Sequence, residues 1–90
     1  MTFDQASAVG LAGLTYLAGK EDAVAVFLRL SGLQPPDLRN RVDDPDLLLA
    51  VLEFLLTDDE IVMDFCRERD LSPRRIHLAQ HVLETRQPST

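Results

Sequence analysis

Ninety residues, 46% of them apolar, form a chain of one-domain size and ordinary globular composition, with four Gly and five Pro scattered between apolar segments. The net charge of -6 argues against a general nucleic-acid binder, which draws its free energy from cations that neutralise phosphates. The lone cysteine, Cys66, excludes an internal disulfide and points to a reducing compartment.

The charge is uneven. Residues 1–65 hold four Lys or Arg against twelve acids, and residues 66–90 hold five Arg against three, so a mildly basic end follows an acidic body. Met1 to Gln5 carries no positively charged leader-type segment, so the expected location is the cytoplasm.

Thr2 followed by Gln5 has the form of a capping box and predicts a first helix from Phe3 to Ala18, ending near Gly19. Ala6, Gly10 and Gly13 place small residues on one stripe, which suits close approach of a neighbouring helix. No charge interrupts Ala6 to Ala18, so most of this helix's circumference is expected to be covered. Glu21 and Asp22 then favour a helix N-terminus. Val24, Phe27, Leu28 and Leu30 give the spacing of a buried face, and Gly32 stands where a left-handed cap belongs.

Pro36 to about Val42 reads as a short helix with Leu33, Leu38 and Val42 as inward anchors. Asp44-Pro45 opens the central element, an apolar helix over about 45–56 that would span about 18 Å, too short for a bilayer core of roughly 30 Å. Thr57 or Asp58 caps the next helix, in which Ile61, Val62, Phe65 and Cys66 face inward while Asp64, Arg67, Glu68 and Arg69 face water. Ser72-Pro73 starts the last helix, which runs to about Thr85 and buries Ile76, Ala79 and Val82 or Leu83. Residues 87–90 are expected to fray. The expected architecture is an all-α, compact single-domain bundle of five to six short helices over residues 1–86, arranged around the apolar helix at about 45–56.

Reactive constellations are sparse. His77 and His81 share one face of the last helix, a spacing compatible with two metal ligands, but Leu78 stands where a zinc-protease motif has Glu. A ligand- or metal-binding regulatory domain using that helix is therefore the alternative reading, beside a solvated polar face. Cys66 falls at an apolar-periodic position and reads as a buried small hydrophobe. The acids Asp43, Asp44, Asp58, Asp59 and Glu60 sit at helix starts, where capping accounts for them. Arg39 and Arg41 do not form one stripe, while Arg74 and Arg75 offer cations on the last helix for an acidic partner.

The run Phe27-Leu28-x-Leu30-Ser31-Gly32-Leu33, then Asp37-Leu38-Arg39-x-Arg41, Asp44-Pro45, Ala50-Val51-Leu52-x-Phe54-Leu55-Leu56-x-Asp58-Asp59 and Asp64-Phe65-Cys66, resembles a known family over about residues 5–80. It is similar to the small, mostly alphaproteobacterial proteins grouped as domain of unknown function 3572. That resemblance implies a fold family and brings no catalytic or ligand residues with it.

The functional expectation is a non-enzymatic module, without cofactor, nucleic acid or membrane, that binds a protein partner or itself. Any exposed part of Leu47, Leu48, Leu55 or Leu56 is where such a partner is expected.

Overall fold

Local capping chemistry sets the helix starts. The computed structural model describes residues 1–86, and its elements are α1 Phe3–Ala18, α2 Glu21–Ser31, α3 Pro35–Asn40, α4 Pro45–Leu55, α5 Asp59–Arg69 and α6 Pro73–Thr85. The fray expected at 87–90 lies outside the described residues. The Thr2 hydroxyl accepts from the Gln5 amide, and the Gln5 side chain accepts from the Thr2 amide. The side chains of Asp44, Asp58 and Ser72 cap α4, α5 and α6 by accepting from amides of the first turn, without the return bond, and Pro45 and Pro73 occupy the first helical positions, where a missing N–H costs nothing.

Two helix ends use left-handed residues. Gly32 closes α2 with φ 76°, and Asp70 closes α5 with φ 53° while Leu71 N–H bonds back to the Cys66 carbonyl. Asp tolerates this conformation better than most residues, because its short polar side chain finds local hydrogen bonds.

The short helix α3 stops earlier than its sequence predicts. Residues 41–43 form a turn in which Arg41 N–H still reaches the Asp37 carbonyl. The Arg41 guanidinium then turns onto Asp44, its Nε 3.0 Å from Oδ2, so this cation is spent on holding the cap of α4. That hydrogen bond, reinforced by the Asp46 amide, holds the Asp44 carboxyl below the usual carboxylate range.

Helices α1, α4 and α6 pack against one another and form the centre of the molecule, with α2, α3 and α5 set around them. The core is built from Ala6, Leu17, Val51, Leu52, Leu55, Phe65, Ile76, Ala79 and Leu83, all without accessible surface, together with their neighbours. Helix α4 buries Leu47, Leu48, Val51, Leu52 and Leu55, and each contributes roughly 1.5–3 kcal/mol before ordering entropy is charged. Its place at the centre is shared with α1, whose Gly10 and Gly13 lie against Leu48 and Leu55.

The coverage expected for α1 is incomplete. Ala8, Leu11, Thr15 and Ala18 form one exposed stripe, while α1 packs mainly against α4 and α6. At the far end of the chain, the Arg86 guanidinium lies 5.7 Å from the centre of the Phe3 ring and 3.9 Å from Asp46, tying the end of α6 to the starts of α1 and α4. No helix among the described residues is long and apolar enough to cross a membrane.

Candidate functional site

Helix α2 has Phe27 as its one fully buried residue. That ring meets the Phe54 ring edge-on, with centroids 5.4 Å apart, and this pair anchors α2 to α4. On one side of Phe27, Val24 and Leu28 border a cleft of about 520 Å³ shared with Leu11, Leu14, Leu38 and Val42. On the other side, Ala23, Val26 and Leu30 recur at three and four and border a second cleft of about 460 Å³, completed by Phe54, Thr57, Asp58 and Ile61.

Leu30 is 73% exposed, although its spacing predicts a buried position. The chain turns away at Thr57 and Asp58 before α5 begins, so no described helix covers this flank of α2. An apolar periodicity says which residues share a face and not whether another element reaches that face.

Ile61 joins this second cleft to two neighbouring hollows. One, of about 400 Å³, is bordered by Glu21 and Asp22 at the start of α2; the other, of about 610 Å³, by Asp58, Asp59 and Glu60 at the start of α5. Favourable local interaction with two helix N-termini accounts for each acid separately, yet the fold gathers all five around one apolar strip. None of the five forms an ion pair among the described residues. Two of the nearby cations are engaged elsewhere: Lys20 Nζ lies 3.1 Å from Glu68 and 3.6 Å from Asp64, and Arg67 lies 3.3 Å from Asp64, while Arg29, beside Leu30 on α2, is exposed.

Behind this rim stands Tyr16, whose hydroxyl donates to Asp64 Oδ2 at 2.7 Å. Its ring is tilted against Phe65 at 5.4 Å, and Lys20 Nζ lies 5.1 Å from its centre. Asp64 therefore does not simply face water as its position beside Arg67 predicts. It is half-buried and accepts from a residue 48 positions away, a pairing that helical periodicity cannot reveal.

Burial of the ring and, next, the bond to Asp64 raise the Tyr16 hydroxyl well above its ordinary pKa. The same bond, aided by Lys20 and Arg67, lowers the Asp64 carboxyl. For Tyr16 the folded state holds its proton more tightly than the unfolded state, so stability is full below about pH 10 and falls as pH rises above it. For Asp64 the contribution is present above about pH 4 and falls as acid protonates the folded carboxylate. Tyr16→Phe is expected to lower Tm by a few degrees at neutral pH and to flatten the decline of Tm above about pH 10, as followed by circular-dichroism melts across pH.

The residues singled out in the sequence fall in different places. His77, His81, Arg74 and Arg75 are exposed on α6. No group of three or more His, Cys, Asp or Glu side chains among the described residues is placed to hold a metal ion, so the two histidines gain no third ligand there. Leu47 and Leu48 are 2% exposed and Leu55 is fully covered, so these three present no surface to a partner; Leu56 is half-buried. The wrapping of α4 by α1 and α6 removes them from the surface. Cys66 is buried, and burial raises its thiol pKa, away from the reactive thiolate.

Over the described residues, fold and clefts together define a small all-α domain of six helices whose least covered apolar surface flanks α2. The chain belongs to the family described as Protein of unknown function (DUF3572), whose model matches residues 3–86. That range extends the resemblance seen in the sequence to nearly the whole chain. No curated protein and no solved structure matches the chain.

Proposed function

We propose that this protein is a non-enzymatic interaction module that docks another protein on the apolar flank of α2. The observation that carries this reading is Leu30, 73% exposed beside a cleft lined by Val26, Phe54 and Ile61. A large apolar side chain at the mouth of an apolar cleft is costly to leave in water and gains from a cover. The setting that suits it is the cytoplasm, where the single thiol of Cys66 stays reduced.

Leu30→Asp tests the reading, because position 30 supports little packing and the change is expected to cost only about 1 kcal/mol, from an acid in the last turn of α2 and its weaker helix propensity. A partner captured from cytosol on the parent protein, then purified, is expected to bind Leu30→Asp at least about tenfold more weakly in a direct titration. Equal binding to both proteins would move the docking surface elsewhere. Sedimentation equilibrium of the parent alone gives the complementary result: a dimer lost in Leu30→Asp would make the occupant a second copy.

A further inference from the structure

We propose that the occupant of this flank is a basic amphipathic helix from another protein. The inference rests on the docking reading above and adds the chemistry of the partner. The cleft supplies the apolar part of the match through Val26, Leu30, Phe54 and Ile61. Asp22 and Asp58 border it, and Glu21, Asp59 and Glu60 stand at the two hollows that meet it at Ile61; all five are exposed and without an ion-pair partner among the described residues, whereas Lys20 and Arg67 are already engaged with Asp64 and Glu68. Five acids outnumber the one exposed cation beside the cleft, Arg29, and an apolar strip with such an excess of one sign favours an incoming segment of the opposite sign and repels an acidic one.

The walls of the cleft say that the segment is helical. They are helix faces and a helix-to-helix corner, with no sheet edge, so a docking strand would find no ladder for its backbone. A helix satisfies its own backbone and needs only an apolar stripe for the cleft, with Lys or Arg flanking it toward the acids.

A second copy of this chain is the natural competitor, since α6 carries Arg74 and Arg75. It fits poorly. The apolar stripe of α6, Ile76, Ala79 and Leu83, is fully used in the core, which leaves only Leu78, 40% exposed, to enter a cleft. Such a contact would also join unlike surfaces head to tail and build open chains unless its rotation closed a ring. Anionic lipid surfaces and nucleic acids carry the wrong sign for this rim.

The test uses three synthetic amphipathic helical peptides with one shared leucine face and polar positions filled with Lys, Gln or Glu. They are titrated against the protein by fluorescence anisotropy and mapped on its amide resonances. The Lys peptide is expected to bind at least about tenfold more tightly than the Glu peptide at low salt, to lose most of that advantage at high salt, and to shift the resonances of Val26, Leu30 and Ile61. Asp22→Asn with Asp59→Asn and Glu60→Gln is expected to weaken the Lys peptide about tenfold with the protein still folded. Leu30→Asp separates docking from mere attraction: it adds a negative charge, so diffuse attraction would strengthen, while docking in the cleft is lost.

Equal binding of the three peptides at this flank, abolished by Leu30→Asp, would overturn the basic partner and leave the docking reading standing. No perturbation of this flank by any peptide would overturn both. Self-association of the parent that disappears in Arg74→Glu with Arg75→Glu would overturn the inference in favour of a second copy.

Discussion

Phe65→Ala is expected to cost about 3–5 kcal/mol, a large share of the roughly 5–15 kcal/mol that holds a small domain together. The side chain has no accessible surface and is among the largest that are fully buried. Val62, Phe65 and Cys66 are the buried residues of α5, with Ile61 partly buried against the core beside them, so truncating the largest removes the main apolar anchor of this helix and leaves a cavity. The ring also supports Tyr16 at 5.4 Å, and its loss frees the Tyr16 hydroxyl from Asp64. Two readouts follow from one substitution. A fall in Tm of roughly 15–30 °C is expected by calorimetry, and the tyrosine titration moves back toward its ordinary range by absorbance at alkaline pH. Met63→Ala on the same helix, with Met63 50% exposed, is expected to change stability by no more than about 0.5 kcal/mol and serves as the control. A Phe65→Ala protein that melts like the parent would show that α5 is not anchored as described.

Gly10→Val is expected to be the second most damaging of the substitutions considered, at about 2–3 kcal/mol, although valine is no worse than glycine as a helix former. A Cβ on Gly10 would lie 2.8 Å from Leu48 Cβ, an atom fixed to the backbone of α4 that no rotamer change moves aside. Helices α1 and α4 must separate, and the separation loosens contacts along their whole crossing. Gly10→Ala meets the same contact but recovers close to 1 kcal/mol in helix propensity, so its net cost is expected near 1 kcal/mol. Gly19→Ala provides the contrast: φ is -85° there and the nearest atom to an added Cβ is the Tyr16 carbonyl oxygen at 3.5 Å, so neutrality or slight stabilisation is expected. Pairing Gly10→Val with Leu48→Gly, which removes the Cβ that the valine meets, should recover part of the loss, and denaturant unfolding of the four proteins in the cycle measures the coupling. Strictly additive losses would place the damage somewhere other than this contact.

The same distinction between local and distant causes separates what was readable in the sequence from what was not. Asp44-Pro45, Asp58, Ser72-Pro73 and the Thr2–Gln5 pair announce four helix starts, because a cap acts on amides within one turn of itself. Apolar spacing carries α3 on to about Val42, past its end at Asn40, because Arg41 closes the helix and then turns onto Asp44, a competition between helix continuation and an ion pair that spacing does not register. The stripe of Ala6, Gly10 and Gly13 announces that something approaches α1 closely; that Leu48 is the residue it meets follows only from how α1 and α4 cross.

The candidate site was less legible than the fold. Its acids were visible as capping residues, and Val24, Phe27, Leu28 and Leu30 as an apolar face, yet nothing along the chain says that α2 keeps only Phe27 in the core and leaves Leu30 outside. Any exposed part of Leu47, Leu48 and Leu55 would suit a partner, and none is left for the reason that makes them core: the most apolar helix is the one other helices cover.

By itself, then, the sequence determined the all-α class, the capped helix starts and the apolar centre of α4, since caps, prolines and periodicity act over a few residues. Tertiary structure alone decided that α1 shares that centre, that Tyr16 meets Asp64, and that the acids of α2 and α5 edge one cleft around Ile61. Those facts depend on the relative placement of whole helices, which is set by the sum of many packing contacts and is written in no single stretch of chain.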